Sequence, residues 1–253
     1  VAVAGAAALA YAKAQVRAGL PVSDAFARIT LGLAVDADYF VSLAKLRAAR
    51  RVFARLATAS GARPNARVEA RSSRRMLTAK DAWTNMIRLT AAGFAAAAGG
   101  ADAVVLGAFT DALGLPTAFA RRQSRNTQLV LMEEAEIGRV ADPAAGSGYV
   151  EALTDQIART AWTKLQAIEA AGGIIAALEN CLIAQDIEAA IVGRGDPRIL
   201  GVTVFPPTED APVTVDPASP ASLDPAEARL PGPDGACVAL AAIRLSEKHE
   251  AAQ

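Results

Sequence analysis

The sequence predicts an α/β protein built around a parallel β-sheet, and two observations predict this class. Three short segments with apolar or alternating residues, typical of strands, lie at residues 28–34, 66–72 and 103–106. A longer segment with apolar residues at helical spacing follows each of them. Three successive strand–helix units place their strands parallel, because each helix returns the chain to the same end of the sheet.

The chain starts with a predicted helix and the first strand–helix unit. An alanine-rich helix covers residues 7–19 and ends at a Gly-Leu-Pro sequence. After the strand at 28–34 comes Asp36, a residue type that caps helix N-termini. We therefore expect a helix from Asp36 to about Thr58.

The second and third units repeat this arrangement. Thr78 and Asp81 form a pair similar to a capping box and predict the start of the second helix, which the glycine pair at 99–100 ends. The third unit has its strand at 103–106 and its helix at about 117–132.

The sequence pattern changes after residue 140. A long amphipathic helix ends at the glycine pair 172–173, and residues 199–205 favour one more strand. Eight of the 13 prolines lie between residues 206 and 233, which is typical of an extended linker. We therefore divide the chain into a strand–helix region, a helical extension, a Pro-rich linker and a C-terminal tail, at residues 1–140, 141–205, 206–235 and 236–253.

Composition excludes several classes of protein. The 253 residues carry 26 Lys and Arg against 26 Asp and Glu, so no net charge attracts nucleic acid or an anionic membrane. Apolar runs such as Ala91–Ala98 fall short of the ~20 residues of a membrane-spanning helix. Cys181 and Cys237 belong to no CxxC or metal-binding motif, so we expect a reducing, cytoplasmic location. Because the sequence starts at Val1 without a signal-peptide pattern, we expect a processed or truncated start.

Few residues carry recognisable catalytic chemistry. The single histidine, His249, lies near the C-terminus, which argues against a Ser-His-Asp triad or a His-rich metal site in the rest of the chain. Glu133 and Glu134 either face a cofactor or, as acidic residues near a helix end usually do, face solvent.

Charged residues occupy alternate positions of the second predicted strand, although a parallel sheet normally has both faces buried. Arg67, Glu69 and Arg71 must therefore find partners. Either they line a polar cavity, or the strand is an exposed edge, and the residues alone leave both interpretations open.

A specific family resemblance comes from Arg125–Glu134, which reads RNTQLVLMEE, followed by VADP at 140–143 and Gly-Ser at 146–147. Together these motifs resemble the signature near the end of the barrel in the methylmalonyl-CoA mutase family. Shorter segments with the family's order and spacing support it, at residues 44–50, 99–103 and 112–117. The resemblance covers residues 1 to about 205, and residues 243–247 are similar to the same region of the family's small subunits.

The resemblance implies that the chain is a partial TIM (β/α)8 barrel. Family members thread the CoA chain along the barrel axis and hold adenosylcobalamin in a separate domain through a DxHxxG histidine, and this sequence lacks that motif. Residues 1–140 then correspond to the C-terminal part of the barrel, with roughly its last three strand–helix units. The chain is accordingly expected to be part of a longer subunit.

Departures from the catalytic pattern make the small, non-catalytic subunit of the heterodimeric mutases the best match. Where catalytic subunits read HCQTSG and GTQSLH, this sequence reads EARSSR at 69–74 and GADAVV at 100–105. Small subunits are similar to this sequence in reading GGADAV and RMLT here, and both strings are present, at 99–104 and 75–78.

This assignment implies partners and a cofactor. The interconversion of methylmalonyl-CoA and succinyl-CoA would take place in a catalytic large subunit that binds adenosylcobalamin and forms a heterodimer with this chain. Acyl-CoA would be a ligand of the holoenzyme, and neither nucleic acid nor a membrane is expected as a partner. Two alternatives remain open: a fragment of a catalytic acyl-CoA mutase with altered substrate, and an alanine-rich helical interaction module outside the family.

Arg28 and Thr30 are the predicted substrate-binding residues. The resemblance aligns them with an arginine and a serine that contact the CoA moiety in catalytic subunits. In a non-catalytic subunit, Arg28 is instead expected to be an ion-pair partner at the strand entrance. Arg67, Glu69 and Arg71 would then fill a barrel that the relatives keep open for CoA.

Overall fold

The computed structural model describes residues 1–217 and 235–251. Most of the predicted linker at 206–235 therefore lies outside the described residues. No helix within the described ranges combines the length and apolarity that crossing a bilayer requires.

Among the described residues, three strands alternate with helices along the first half of the chain, and further helices follow. The strands are β1 (Thr30–Val35), β2 (Arg67–Ser72) and β3 (Ala103–Val105). The α-helices are α1 (Ala2–Arg17), α2 (Val22–Ala27), α3 (Tyr39–Ala59), α4 (Asn85–Ala98), α5 (Ala118–Leu129), α6 (Gly148–Ala170), α7 (Ile174–Glu179), α8 (Leu182–Val192) and α9 (Glu247–Glu250). A π-helical turn at Val130–Glu134 extends α5.

The three strands form one parallel sheet in the order β1-β2-β3. The register pairs Leu31 with Val68, and Ala70 with Val104. The predicted parallel sheet is therefore confirmed, and the alternative of a purely helical interaction module is wrong.

Helices cover one face of this sheet and form the core with it. Val68 and Ala70 of β2 have no exposed surface, and α3 and α4 contact both β1 and β2. Phe53 of α3 meets Phe26 of α2 edge to face, with ring centroids 5.6 Å apart. Burying one large apolar side chain contributes about 1.5–3 kcal/mol, so this layer stabilises the fold.

The long helix α6 packs along α1 and α3. A Cβ atom on Gly5 of α1 would lie 2.6 Å from Leu165 Cδ1, so the missing side chain lets α1 approach α6 closely. Arg47 of α3 pairs with Glu151 of α6 at 2.6 Å and with Asp142 at 2.8 Å. The predicted helical extension is thus joined to the strand–helix units by both small residues and charges.

Two predicted helix caps differ from the structure. Asp38, and not Asp36, caps α3, since its Oδ1 accepts from the Val41 amide at 3.3 Å. Thr78 and Asp81 do not cap α4, because Asp81 adopts a left-handed conformation with φ 47° and a short 3₁₀ turn separates it from Asn85, where α4 starts. The Asp36 carboxylate instead pairs with Arg75, and Asp81 Oδ2 accepts from the nearby Thr84 hydroxyl at 2.6 Å.

The strand predicted at residues 199–205 is wrong. The Thr203 hydroxyl accepts from the Ile199 amide at 2.8 Å, and the Val204 amide donates to the Ile199 carbonyl at 3.1 Å, which folds the segment into a turn. Gly201 with φ 78° and Phe205 with φ 51° allow this turn. An apolar run of this length does not distinguish a strand from such a turn.

Candidate functional site

The face of the sheet opposite the helices is uncovered by the described residues. Its side chains come from alternate positions of each strand, because successive residues point to opposite faces. We call it the open face, and it consists of Thr30, Gly32, Ala34, Arg67, Glu69, Arg71, Ala103 and Val105.

The charged groups of the open face lie on its central strand, β2. Glu69 Oε1 and Arg71 Nε are 2.5 Å apart and form an ion pair. The register places small residues beside them, with Gly32 and Ala103 flanking Glu69, and Ala34 next to Arg71. These small neighbours give the long charged side chains room to extend across the face.

The structure decides between the two interpretations of the charged strand. Because β2 is hydrogen-bonded on one side to β1 and on the other to β3, the interpretation as an exposed edge strand is wrong. Arg67, Glu69 and Arg71 avoid burial by pointing to the open face, while the residues between them point to the core. The charged residues at alternate positions of β2 thus correctly indicated a sheet with one polar face.

The predicted substrate-binding residues lie at the amino end of β1. Thr30 is the first residue of β1, on the open face and next to Arg67 in the register. Arg28 lies before the strand, as the exposed C-cap of α2 with helical dihedral angles of −86° and −6°. Within residues 1–217 and 235–251, its guanidinium forms no ion pair, so the expected structural salt bridge has no partner there.

The carboxyl end of the sheet carries a partly buried ion pair. Asp36 follows β1 directly, and its Oδ2 accepts a short hydrogen bond from Arg75, which follows β2. Its Oδ1 accepts from the Asp38 amide at 3.1 Å and from the Ser42 hydroxyl at 3.3 Å. Burial alone would raise the pKa of Asp36, but the hydrogen bond and charge of Arg75 hold this pKa below its ordinary value. The carboxylate is therefore committed to structure and is a poor general base.

A second polar cluster surrounds Gly107, just after β3. The Gly107 amide donates to Ser72 Oγ at 2.7 Å, and its carbonyl accepts from Ser124 Oγ at 2.6 Å. Asp111 Oδ2 accepts from the Ala108 amide at 3.0 Å, and burial raises the pKa of this carboxyl. A Cβ atom at position 107 would lie 2.4 Å from Asp111 Oδ2, so a larger residue here would displace the Asp111 carboxylate from its hydrogen bond to Ala108.

At the amino end of the sheet, Asp102 ties two strands to a helix. Its Oδ2 accepts from the Val68 amide at 2.7 Å and from Arg50 Nη2 of α3 at 2.8 Å. Arg50 also donates to the Ala66 carbonyl at 2.6 Å. Asp102 is one of the residues that depart from the catalytic pattern, and here it has a structural role. The sequence shows that Asp102 departs from the catalytic pattern, but it does not show that Arg50 is its partner, because Arg50 lies 52 residues away.

The remaining candidate residues lie on the surface. Glu133 and Glu134 are exposed on the π-helical turn, as acidic residues near a helix end usually are. No group of three or more His, Cys, Asp or Glu side chains suited to a metal ion occurs among the described residues.

The fold and the site define the class of this protein as a parallel α/β protein with consecutive strand–helix units and a charged open face. The chain belongs to the methylmalonyl-CoA mutase family, since the family model described as "Methylmalonyl-CoA mutase" matches residues 1–227. The resemblance in the sequence motifs is thereby confirmed.

Individual relatives agree with this assignment. The chain is 46% identical over 209 residues to the methylmalonyl-CoA mutase small subunit of Streptomyces virginiae, a match that covers 79% of this chain and 34% of the relative. It is 38% identical over 188 residues to the small subunit from Propionibacterium freudenreichii subsp. shermanii, covering 73% of this chain and 30% of that protein. The methylmalonyl-CoA mutase of Escherichia coli (strain K12) is 38% identical over 205 residues, which are 77% of this chain and 29% of that protein. The chain thus spans about a third of the length of these relatives.

The described residues do not fit adenosylcobalamin, the cofactor that the resemblance implies. A histidine that ligates cobalt must present a ring nitrogen to it, whereas Nε2 of His249 is buried and unpaired within the described part of the chain. His249 also lies in the short helix α9 and outside any DxHxxG sequence.

Proposed function

We propose that this chain is part of the small, non-catalytic subunit of an adenosylcobalamin-dependent methylmalonyl-CoA mutase. The holoenzyme would interconvert methylmalonyl-CoA and succinyl-CoA, with the chemistry in the large subunit. The observation that carries the proposal is the row Arg67, Glu69 and Arg71 along the middle of the open face. A strand that presents three long charged side chains there leaves little space for a substrate.

The proposal extends to the complete barrel. In a closed eight-stranded barrel, the face opposite the helices lines an interior just wide enough for side chains to fill. The open face would be that interior, and residues 1–140 would be the C-terminal part of the barrel. Arg67 and Arg71 would then occupy the axis through which the CoA chain passes in catalytic relatives.

The partner and cofactor follow from this role. The catalytic large subunit would bind adenosylcobalamin and form a heterodimer with this chain, and acyl-CoA would bind through the holoenzyme. The relatives named small subunits support a larger partner. Cys181 and Cys237 are free thiols, which supports a cytoplasmic location.

The runner-up is a fragment of a catalytic acyl-CoA mutase with altered substrate. Thr30 on the open face is the observation in its favour, since this position and Arg28 resemble CoA contacts of catalytic subunits. Asp102 argues against it, because its carboxylate is held by Arg50 and the Val68 amide.

Size-exclusion chromatography with light scattering tests the proposal. The full-length subunit is examined alone and mixed with a cobalamin-binding large subunit from the same source, and each peak is assayed for mutase activity and for cobalamin absorbance. We expect a one-to-one complex whose activity and cobalamin arrive with the partner. A subunit that alone binds cobalamin and converts substrate would establish the catalytic alternative instead.

A further inference from the structure

Residues 244–250, the C-terminal strap, lie against the loop at residues 73–84 that follows β2. The Leu245 amide donates to the Arg75 carbonyl at 3.0 Å, and the Ser246 hydroxyl donates to the Leu77 carbonyl at 3.2 Å. Ser246 is 1% exposed, so this contact is shielded from water. The strap and the loop are therefore joined over several residues of each.

Glu250 makes the most contacts in this interface. Its Oε1 accepts from the Ala79 amide at 2.7 Å and from the Lys80 amide at 3.3 Å. Its Oε2 pairs with Arg244 Nη1 at 2.8 Å, and both side chains are largely buried. One carboxylate thus closes the strap on itself and holds two backbone amides of the loop.

The strap cannot owe its conformation to its own helix. Helix α9 has four residues, and isolated helices shorter than about 12 residues are not stable in water. The contacts with the loop must therefore order the strap.

The loop crosses the carboxyl end of the sheet. The Ser73 amide donates to the carbonyl of Val35, the last residue of β1, at 2.7 Å, and Arg75 pairs with Asp36. Ligands of parallel α/β proteins bind at the carboxyl ends of the strands. The loop therefore lies over the end of the sheet at which ligands of such proteins bind.

We propose that residues 244–250 are a strap that holds the loop at 73–84 closed over the carboxyl ends of β1 and β2, and that release of the strap opens this end of the sheet. A second segment contacts the same loop at its far end, where Asp210 Oδ1 accepts from the Asp81 amide at 2.9 Å. The strap holds the amides of Ala79 and Lys80, whereas Thr78 before them is buried and its amide donates to Asn85 Oδ1 of α4 at 3.0 Å. This inference stands independently of the proposed subunit role.

Hydrogen–deuterium exchange of the full-length subunit tests the strap. Glu250→Ala removes the acceptor of the Ala79 and Lys80 amides, so we expect the peptide covering these residues to exchange at least tenfold faster. Trypsin should also cleave after Lys80 more quickly, because the loop opens. Glu247→Ala is the matched control, since Glu247 is an exposed glutamate on the same helical turn. It should leave both readouts unchanged.

Two results would overturn the proposal. The first is unchanged exchange of the loop in Glu250→Ala, and the second is an equal increase in Glu247→Ala, which would indicate simple fraying of α9. If Glu250→Ala loses its global fold, Ser246→Ala serves as the second variant, because it removes the hydrogen bond from the hydroxyl to the Leu77 carbonyl, together with the one that the hydroxyl accepts from Arg244, and keeps the Glu250 carboxylate. We expect about fivefold faster local exchange there, and no increase would likewise contradict the strap.

Discussion

Asp36 is a single residue whose ionisation connects the fold to pH. Its side chain is only 13% exposed, and a buried carboxylate without a partner would be strongly unfavourable. Arg75, Ser42 and the Asp38 amide satisfy its two oxygens. The charged form is thereby favoured in the folded state over the unfolded state.

This preference predicts how the free energy of unfolding depends on pH. Because the pKa of Asp36 is lower in the folded protein than its ordinary value of 3.8, the stabilisation is present above that value. It is lost as the pH falls through the lowered pKa of the folded state. We expect Asp36→Asn to reduce the free energy of unfolding at neutral pH and to flatten its decline in acid, as measured by urea titrations at several pH values.

The matched control is Asp155→Asn. Asp155 forms an exposed i,i+4 pair with Arg159, and such pairs contribute little to stability. An acid dependence in Asp36→Asn that is as steep as in the unmodified chain would show that Asp36 is not the group responsible.

The elements show which features a sequence predicts and which it does not. All three strands were predicted within about two residues of their bounds. The spacing of apolar residues reveals which positions of a segment are buried, and this does not depend on what the segment packs against. The strand predicted at 199–205 was wrong because these apolar residues form a turn that the Thr203 hydroxyl stabilises. The first strand was predicted two residues early, since Arg28 still belongs to the end of α2.

The candidate site was predictable in part for a similar reason. Charge at alternate positions of β2 pointed to a polar face, but no local pattern shows whether a strand is central or at an edge. The partners of Asp36 and Asp102 were missed, because Arg75 and Arg50 are 39 and 52 residues distant in sequence. Such pairs become apparent only once the units pack.

Asp102 also predicts how the pairing of two strands responds to mutation. Its backbone amide donates to the Val68 carbonyl at 2.8 Å while its side chain accepts from the Val68 amide at 2.7 Å. We expect Asp102→Ala to lower the free energy of unfolding by about 1–3 kcal/mol, because the Val68 amide and Arg50 both lose an acceptor. Urea denaturation measures this change. Asp155→Ala should cost less than about 0.5 kcal/mol, and equal losses in the two variants would contradict the role of Asp102.

At the scale of the whole molecule, the two faces of the sheet have different tasks. The buried face packs against α3 and α4, and the open face presents the charged row. The chain belongs to the methylmalonyl-CoA mutase family, and we propose that the second face corresponds to the barrel interior, with the acyl-CoA chemistry in the partner subunit.

This division predicts the kinetics of the assembled enzyme. If the small subunit does not bind substrate, Arg28→Ala leaves the KM of the reconstituted holoenzyme for acyl-CoA unchanged. Steady-state assays at varied acyl-CoA concentration measure it, with Arg17→Ala, another exposed arginine next to a helix end, as the control. A many-fold rise in KM for Arg28→Ala alone would instead assign this residue to substrate binding.

The alternation of β2 has a consequence for how such a protein can evolve. Val68 and Ala70 are buried against the helices, whereas Arg67, Glu69 and Arg71 point to the opposite face of the sheet. Mutations at Arg67, Glu69 or Arg71 therefore leave the contacts between the sheet and its helices in place, while mutations at Val68 or Ala70 disrupt them. After gene duplication, a few substitutions on the open face of β2 would be enough to remove catalytic activity, while the buried positions of the same strand would keep the packing against the helices. Activity and subunit assembly would then evolve separately.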